Sequence, residues 1–106
     1  SGQWKVGAEA AELQQPGGRI VYRFRARDLH LVLGPGMEGQ PVRFRIRVDG
    51  QPPGKDRGSD VDANGLGTID GHRLYQLVRQ ANPGRERLFE IEFLDGGASA
   101  YAFTFG

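Results

Sequence analysis

Two segments carry the same alternation of apolar and arginine positions: Ile20-Val21-Tyr22-Arg23-Phe24-Arg25-Ala26-Arg27 and Val42-Arg43-Phe44-Arg45-Ile46-Arg47-Val48. A strand sends successive side chains to opposite faces, so each segment has one dry face and one arginine face. Leu88–Leu94 repeats the period, with Phe89, Ile91 and Phe93 on one side and Glu90 and Glu92 on the other. His30–Leu33, Arg73–Arg79 and a last segment holding Tyr101, Phe103 and Phe105 also read as strands, as do the shorter Trp4-Lys5-Val6 and Glu9–Leu13. Between them lie Pro16-Gly17-Gly18, Gly34-Pro35-Gly36, Pro52-Pro53-Gly54, Asn82-Pro83-Gly84 and Gly96-Gly97. Val61-Asp62 and Gly67-Thr68-Ile69 flank an Asn64-Gly65 hairpin signal. About eight short strands at regular spacing with turn chemistry between them predict an all-β sandwich or barrel. Parity gives its core: Ile20, Tyr22, Phe24, Leu31, Leu33, Val42, Phe44, Ile46, Val48, Phe89, Ile91, Phe93, Tyr101, Phe103 and Phe105.

The 106 residues fit one domain, residues 1–106, and the 17 glycines agree with many turns. The start at Ser1-Gly2-Gln3-Trp4, without an initiator methionine, reads as that of an excised domain. Lys+Arg 14 against Asp+Glu 13 leaves +1, which argues against a nucleic-acid partner. No apolar run reaches the roughly 18 residues of a spanning helix, so no direct membrane insertion by this domain is expected. There is no cysteine, hence no disulfide and no thiolate metal site.

The arginines Arg23, Arg25, Arg27, Arg43, Arg45 and Arg47 form either a basic platform or the solvated side of a sheet. With near-zero net charge and no stacking aromatics among them, the solvated side is the better reading. If the Glu90–Glu92 strand lies beside an arginine strand, cross-strand ion pairs follow. Asp60-Val61-Asp62-Ala63-Asn64-Gly65 matches the first half of an EF-hand loop, making Asp60, Asp62 and Asn64 the calcium candidates. The twelfth loop position, where a bidentate Glu belongs, is Gly71, so no metal is expected to bind tightly. His30 and His72 have no second ligand at metal spacing, and no serine sits in a nucleophile motif. No cofactor and no catalytic activity are expected. Trp4 and Tyr75, which parity does not assign to the core, are the candidate ligand-binding rings; burial of both is the competing reading.

The stretches GRIVYRFRARDLHLVL, VRFRIRVDGQPPG, GSDVDANGLGTI, RLYQLVRQ and FEIEFLDGGASAYAFTFG, in this order, resemble the C-terminal domain of DipZ-type proteins and related thioredoxin-like thiol–disulfide proteins. The likeness runs from Trp4 to Gly106. It implies a jelly-roll β-sandwich of about eight antiparallel strands, similar to carbohydrate-binding modules. It also implies an extracytoplasmic place, in the periplasm or cell envelope, beside a thioredoxin-like domain of a membrane-anchored parent, and a setting of disulfide exchange and cytochrome c biogenesis. The Cys-x-x-Cys of such proteins belongs to the thioredoxin-like domain, and nothing in this chain matches it.

The expected function is therefore a non-catalytic accessory domain. It would either bind cell-envelope carbohydrate, or pack on the adjacent thioredoxin-like domain and shape the choice of protein substrates. A calcium- or anion-dependent regulator is the third reading.

Overall fold

A computed structural model describes residues 2–3, 11–13 and 18–106. The strands are β1 (Gly2–Gln3), β2 (Ala11–Leu13), β3 (Arg19–Phe24), β4 (Asp28–Gly34), β5 (Val42–Val48), β6 (Leu66–Ile69), β7 (Arg73–Arg79), β8 (Arg87–Phe93) and β9 (Ala98–Phe105). The expected strand at Trp4-Lys5-Val6 lies outside the described residues. The only helical turns described are two short 3₁₀ pieces, Met37–Gly39 and Gly54–Asp56.

The strands form two sheets, ordered β1-β3-β8-β5-β6 and β2-β9-β4-β7. From β2 to β9 the pairs are nested: β5 with β6, β4 with β7, β3 with β8, and β2 with β9. The long hairpin is then rolled, so that β8 also meets β5 and β9 also meets β4. This is the jelly roll, and all of these pairs are antiparallel. β1 adds a two-residue parallel edge to β3.

The core lies between the sheets. Phe44, Ile46, Phe89, Ile91 and Phe93 from one sheet face Leu29, Leu31, Leu33, Tyr75, Leu77 and Phe103 from the other. The parity assignment holds for β5 and β8 without exception. It fails where the ladder is irregular. The register of β4 against β9 passes from Val32↔Ala102 to Leu33↔Ala100, leaving Tyr101 as the extra residue of a bulge. Ala98 and Ala100 therefore point inward before it and Phe103 after it, while Tyr101 is only half-buried. Phe105 is 38% exposed at the end of the strand, in a ladder of near-parallel rings with Tyr22, Phe24 and Phe103.

A second bulge, between Leu29↔Val78 and His30↔Gln76, makes Leu77 the extra residue and buries both Leu77 and Val78. The expected hairpin around Asn64-Gly65 has its turn but only one strand. Gly58 and Asp60 instead donate their N–H groups to Leu77 and Gln76 of β7, covering that sheet edge. Gly58 is required there, because a Cβ would overlap the Gln76 backbone.

Phe44→Ala removes a ring with 0% exposure that packs edge-on to Tyr75 at 6.5 Å. The expected loss is about 3–5 kcal/mol, read from the urea unfolding midpoint. A loss below about 1 kcal/mol would contradict this placement of Phe44.

Candidate interaction surfaces

The outer face of the β3-β8-β5 sheet is the arginine face. β8 runs between the two arginine strands, as the cross-strand argument requires. Glu90 accepts from Arg19 at 3.0 Å and lies 3.6 Å from Arg47, whose guanidinium is also 3.7 Å from Glu92. Arg23 lies 3.6 Å from Glu86. Arg43 makes a two-pronged pair with Asp95 at 2.8 and 2.9 Å, and its own N–H donates to the same carboxylate. Arg25 donates to the Gly84 carbonyl. Exposed pairs of this kind contribute about 0.2–1 kcal/mol each and are screened by salt. The face is charged but largely compensated.

Four aspartates are held below the usual carboxylate range. For Asp95 the cause is its hydrogen bonds from the Arg43 side chain and N–H. For Asp28 it is the hydrogen bond from Arg27, which outweighs burial. For Asp49 it is the Leu88 N–H and then Arg87. For Asp60, burial acts upward and is the largest influence, but Arg73 and the Gln76 N–H together overcome it.

The calcium candidates point elsewhere. Asp60 faces β7, accepting from Arg73 at 3.0 Å and from the Gln76 N–H at 2.7 Å. One oxygen of Asp62 accepts the N–H groups of Asn64 and Leu66, both at 2.9 Å, and so caps its own turn. Gly65 completes that turn with φ +86°, and its carbonyl accepts from Ile46. Asn64 is exposed. Among the described residues, no three His, Cys, Asp or Glu side chains gather as metal ligands would.

Tyr75 is a correction: the ring has 0% exposure and offers no face to a ligand. Its hydroxyl donates to the Gly71 carbonyl at 2.7 Å and accepts the N–H groups of Asp70 and Gly71, and the Arg73 guanidinium stacks 3.8 Å from the ring centroid. The RLYQLVR segment has apolar residues on both parities, so alternation alone leaves the inward side undecided. The other candidate ring, Trp4, lies outside the described residues.

Alternation did not single out the outer face of β9-β4-β7. Val32 stands between Leu74 and Ala102, and His30 between Gln76 and Thr104. Leu74 is 38% exposed. At one end the rings of His72 and Tyr101 meet at 4.7 Å over Gly34. The outward positions of β4 and β9 from His30 to Val32 and from Ser99 to Thr104 carry no Lys, Arg, Asp or Glu. The signal in the sequence is the lack of charge in LHLVLG and ASAYAFTF, where apolar residues occupy both parities.

The fold is shared with domains of carbohydrate-active enzymes. A family two carbohydrate esterase from Clostridium thermocellum, solved in complex with cellohexaose, matches with a TM-score of 0.62 and 16% identity over 90% of this chain. A family GH115 4-O-methyl-alpha-glucuronidase with specificity for decorated arabinogalactans matches with a TM-score of 0.53 and 13% identity over 94% of this chain. The chain spans 26% and 15% of these two proteins. No curated protein matches it. The family model of the thioredoxin-like C-terminal domain matches residues 1–106, and the chain belongs to that family.

Three outcomes are expected. All four perturbed carboxyls have folded pKa values below their unfolded values near 3.9. Below about pH 4 the unfolded chain therefore binds more protons, and the stability these groups contribute is lost as pH falls through the folded values. The Tm should be flat from pH 7 to about 5 and fall steadily below about 4, with Asp28→Asn reducing the slope. Separately, Asp62→Ala should cost about 1 kcal/mol through the lost turn bonds. Melts of the unsubstituted domain in calcium and in chelator should coincide; a rise of several degrees with calcium would restore the metal reading.

Proposed function

We propose that this member of the thioredoxin-like C-terminal domain family is a non-catalytic accessory domain of a DipZ-type thiol–disulfide protein. It acts on the extracytoplasmic side of the membrane. It docks through the outer face of β9-β4-β7 against the adjacent thioredoxin-like domain and biases which protein substrates reach that domain's cysteines. With no cysteine of its own, the domain supplies no thiolate for disulfide exchange. The observation that carries the docking surface is the contrast between the two outer faces. One is covered by arginine–glutamate pairs; the other presents Val32, Leu74 and Ala102 in one cross-strand row flanked by His30, Gln76 and Thr104. An apolar row with a neutral polar rim loses little on desolvation and suits a protein partner.

A second reading, binding of cell-envelope carbohydrate, is favoured by the His72–Tyr101 ring pair at the end of this face and by the fold shared with carbohydrate-active enzymes. The two readings separate by substitution. Leu74→Glu places a charge in the apolar row at an exposed position, so the Tm should move by no more than about 2 °C. It should weaken association with the thioredoxin-like domain at least tenfold in a two-fragment titration. Unchanged association would remove this face from the reading. Retention on envelope glycan that Tyr101→Ala abolishes would favour the carbohydrate reading.

A further inference from the structure

At the end of β7, where Arg79 stands in register with Asp28 of β4, three chain segments bring four cationic side chains to one groove. The groove is about 430 Å³ and is lined by Arg27, Lys55, Asp56, Arg57, Arg79, Gln80 and Ala81. Its frame is fixed. Gln80 is buried, takes the Arg27 carbonyl through its N–H at 2.8 Å, and donates its side-chain amide to the Ala26 carbonyl at 2.6 Å. Its side-chain oxygen accepts from Arg87 at 2.9 Å. Arg57 bridges to Val78 and donates to the Gly54 carbonyl, and Asp56 accepts the Ala81 N–H at 3.3 Å.

The charges do not cancel. Asp28, which does not itself line the groove, accepts two hydrogen bonds from Arg27 and lies 4.0 Å from Arg79. Asp56 is the other carboxylate. Among the described residues, Lys55 and Arg57 have no carboxylate within ion-pair distance. The groove therefore holds an excess of two positive charges in a chain whose net charge is only +1. Three of its four cations are guanidiniums, whose planar forks match tetrahedral oxyanions, and a phosphate monoester is close to a dianion at neutral pH.

We propose that this groove is an anion site for a phosphoryl group, with Arg57, Arg79 and Lys55 as the contacting side chains. Arg27 is a positioning residue that neutralises Asp28. The same chemistry is offered by a soluble phosphate ester and by a phospholipid headgroup, and the test separates them.

The ¹⁵N-labelled chain is titrated at constant ionic strength with pyrophosphate, inorganic phosphate and chloride, and with vesicles of phosphatidylglycerol or phosphatidylcholine. Saturable shifts at the amides of Lys55–Arg57 and Arg79–Ala81 are expected with pyrophosphate and not with chloride. Arg57→Gln with Arg79→Gln should weaken this at least tenfold while lowering the Tm by no more than about 2 °C, whereas Arg45→Gln on the compensated face should not weaken it. Additional saturable binding to phosphatidylglycerol vesicles at the same amides assigns a headgroup as the source; its absence assigns a soluble ester. Shifts that do not saturate, that chloride reproduces, that spread over the arginine face, or that survive the double substitution would overturn the site. Vesicle binding without any response to pyrophosphate would overturn it equally.

Discussion

Register is the constraint on which this fold depends, and β8 is where it is set. The strand has a partner on each side, and its inward residues stand in rows across the sheet: Ile20, Ile91 and Ile46 in one, Tyr22, Phe89 and Val48 in the next. Slipping β8 by one residue would turn Glu90 and Glu92 toward the core and expose Phe89, Ile91 and Phe93. Slipping β3 or β5 would do the same with arginines. Burying an unpaired charge costs several kcal/mol, far more than any surface pair contributes. The alternation thus works twice: the apolar parity drives the sheets together, and the charged parity forbids the neighbouring registers.

The cost of this device is that one outer face is occupied with itself. Glu90 is shared between Arg19 on β3 and Arg47 on β5, and Arg43 is closed off by Asp95. The opposite sheet has no such charge code. Its register is fixed by the two bulges and by tight inward packing of Leu29, Leu31 and Leu33. Its outer face is consequently free to be neutral, and the difference between the faces follows from how each sheet sets its register.

That difference also decides what was legible in the sequence. β5 and β7 carry the boundaries that alternation and turn residues give, and β3 (expected over Ile20–Ala26), β4 and β8 differ from expectation by one or two residues at each end. Every inward position of β5 and β8 is read correctly, because charge marks the other parity. Where both parities are apolar, the reading fails. Tyr75, Leu77 and Val78 enter the core from a segment whose faces cannot be told apart, and Tyr101 leaves it because a bulge shifts the phase of β9. A bulge depends on the partner strand, which is distant in sequence. The half EF-hand pattern illustrates a related limit: Asp60 and Asp62 look convergent along the chain, yet one turns to β7 and the other to its own turn.

The cationic groove is invisible to sequence for the same reason, and its origin is structural. β7 is a sheet edge, and an uncovered edge invites pairing with other chains. The loop through Gly58 and Asp60 covers it by adding backbone hydrogen bonds to Leu77 and Gln76. The same loop must then carry Lys55 and Arg57 alongside Arg79, while the bend before β4 brings Arg27 from the other side. Gln80 ties that bend to the end of β7. The cations are therefore gathered by a segment whose first task is to protect an edge, and they sit on backbone that hydrogen bonds already hold. A site built on such a frame needs little ordering when an anion arrives, which favours binding by a few contacts.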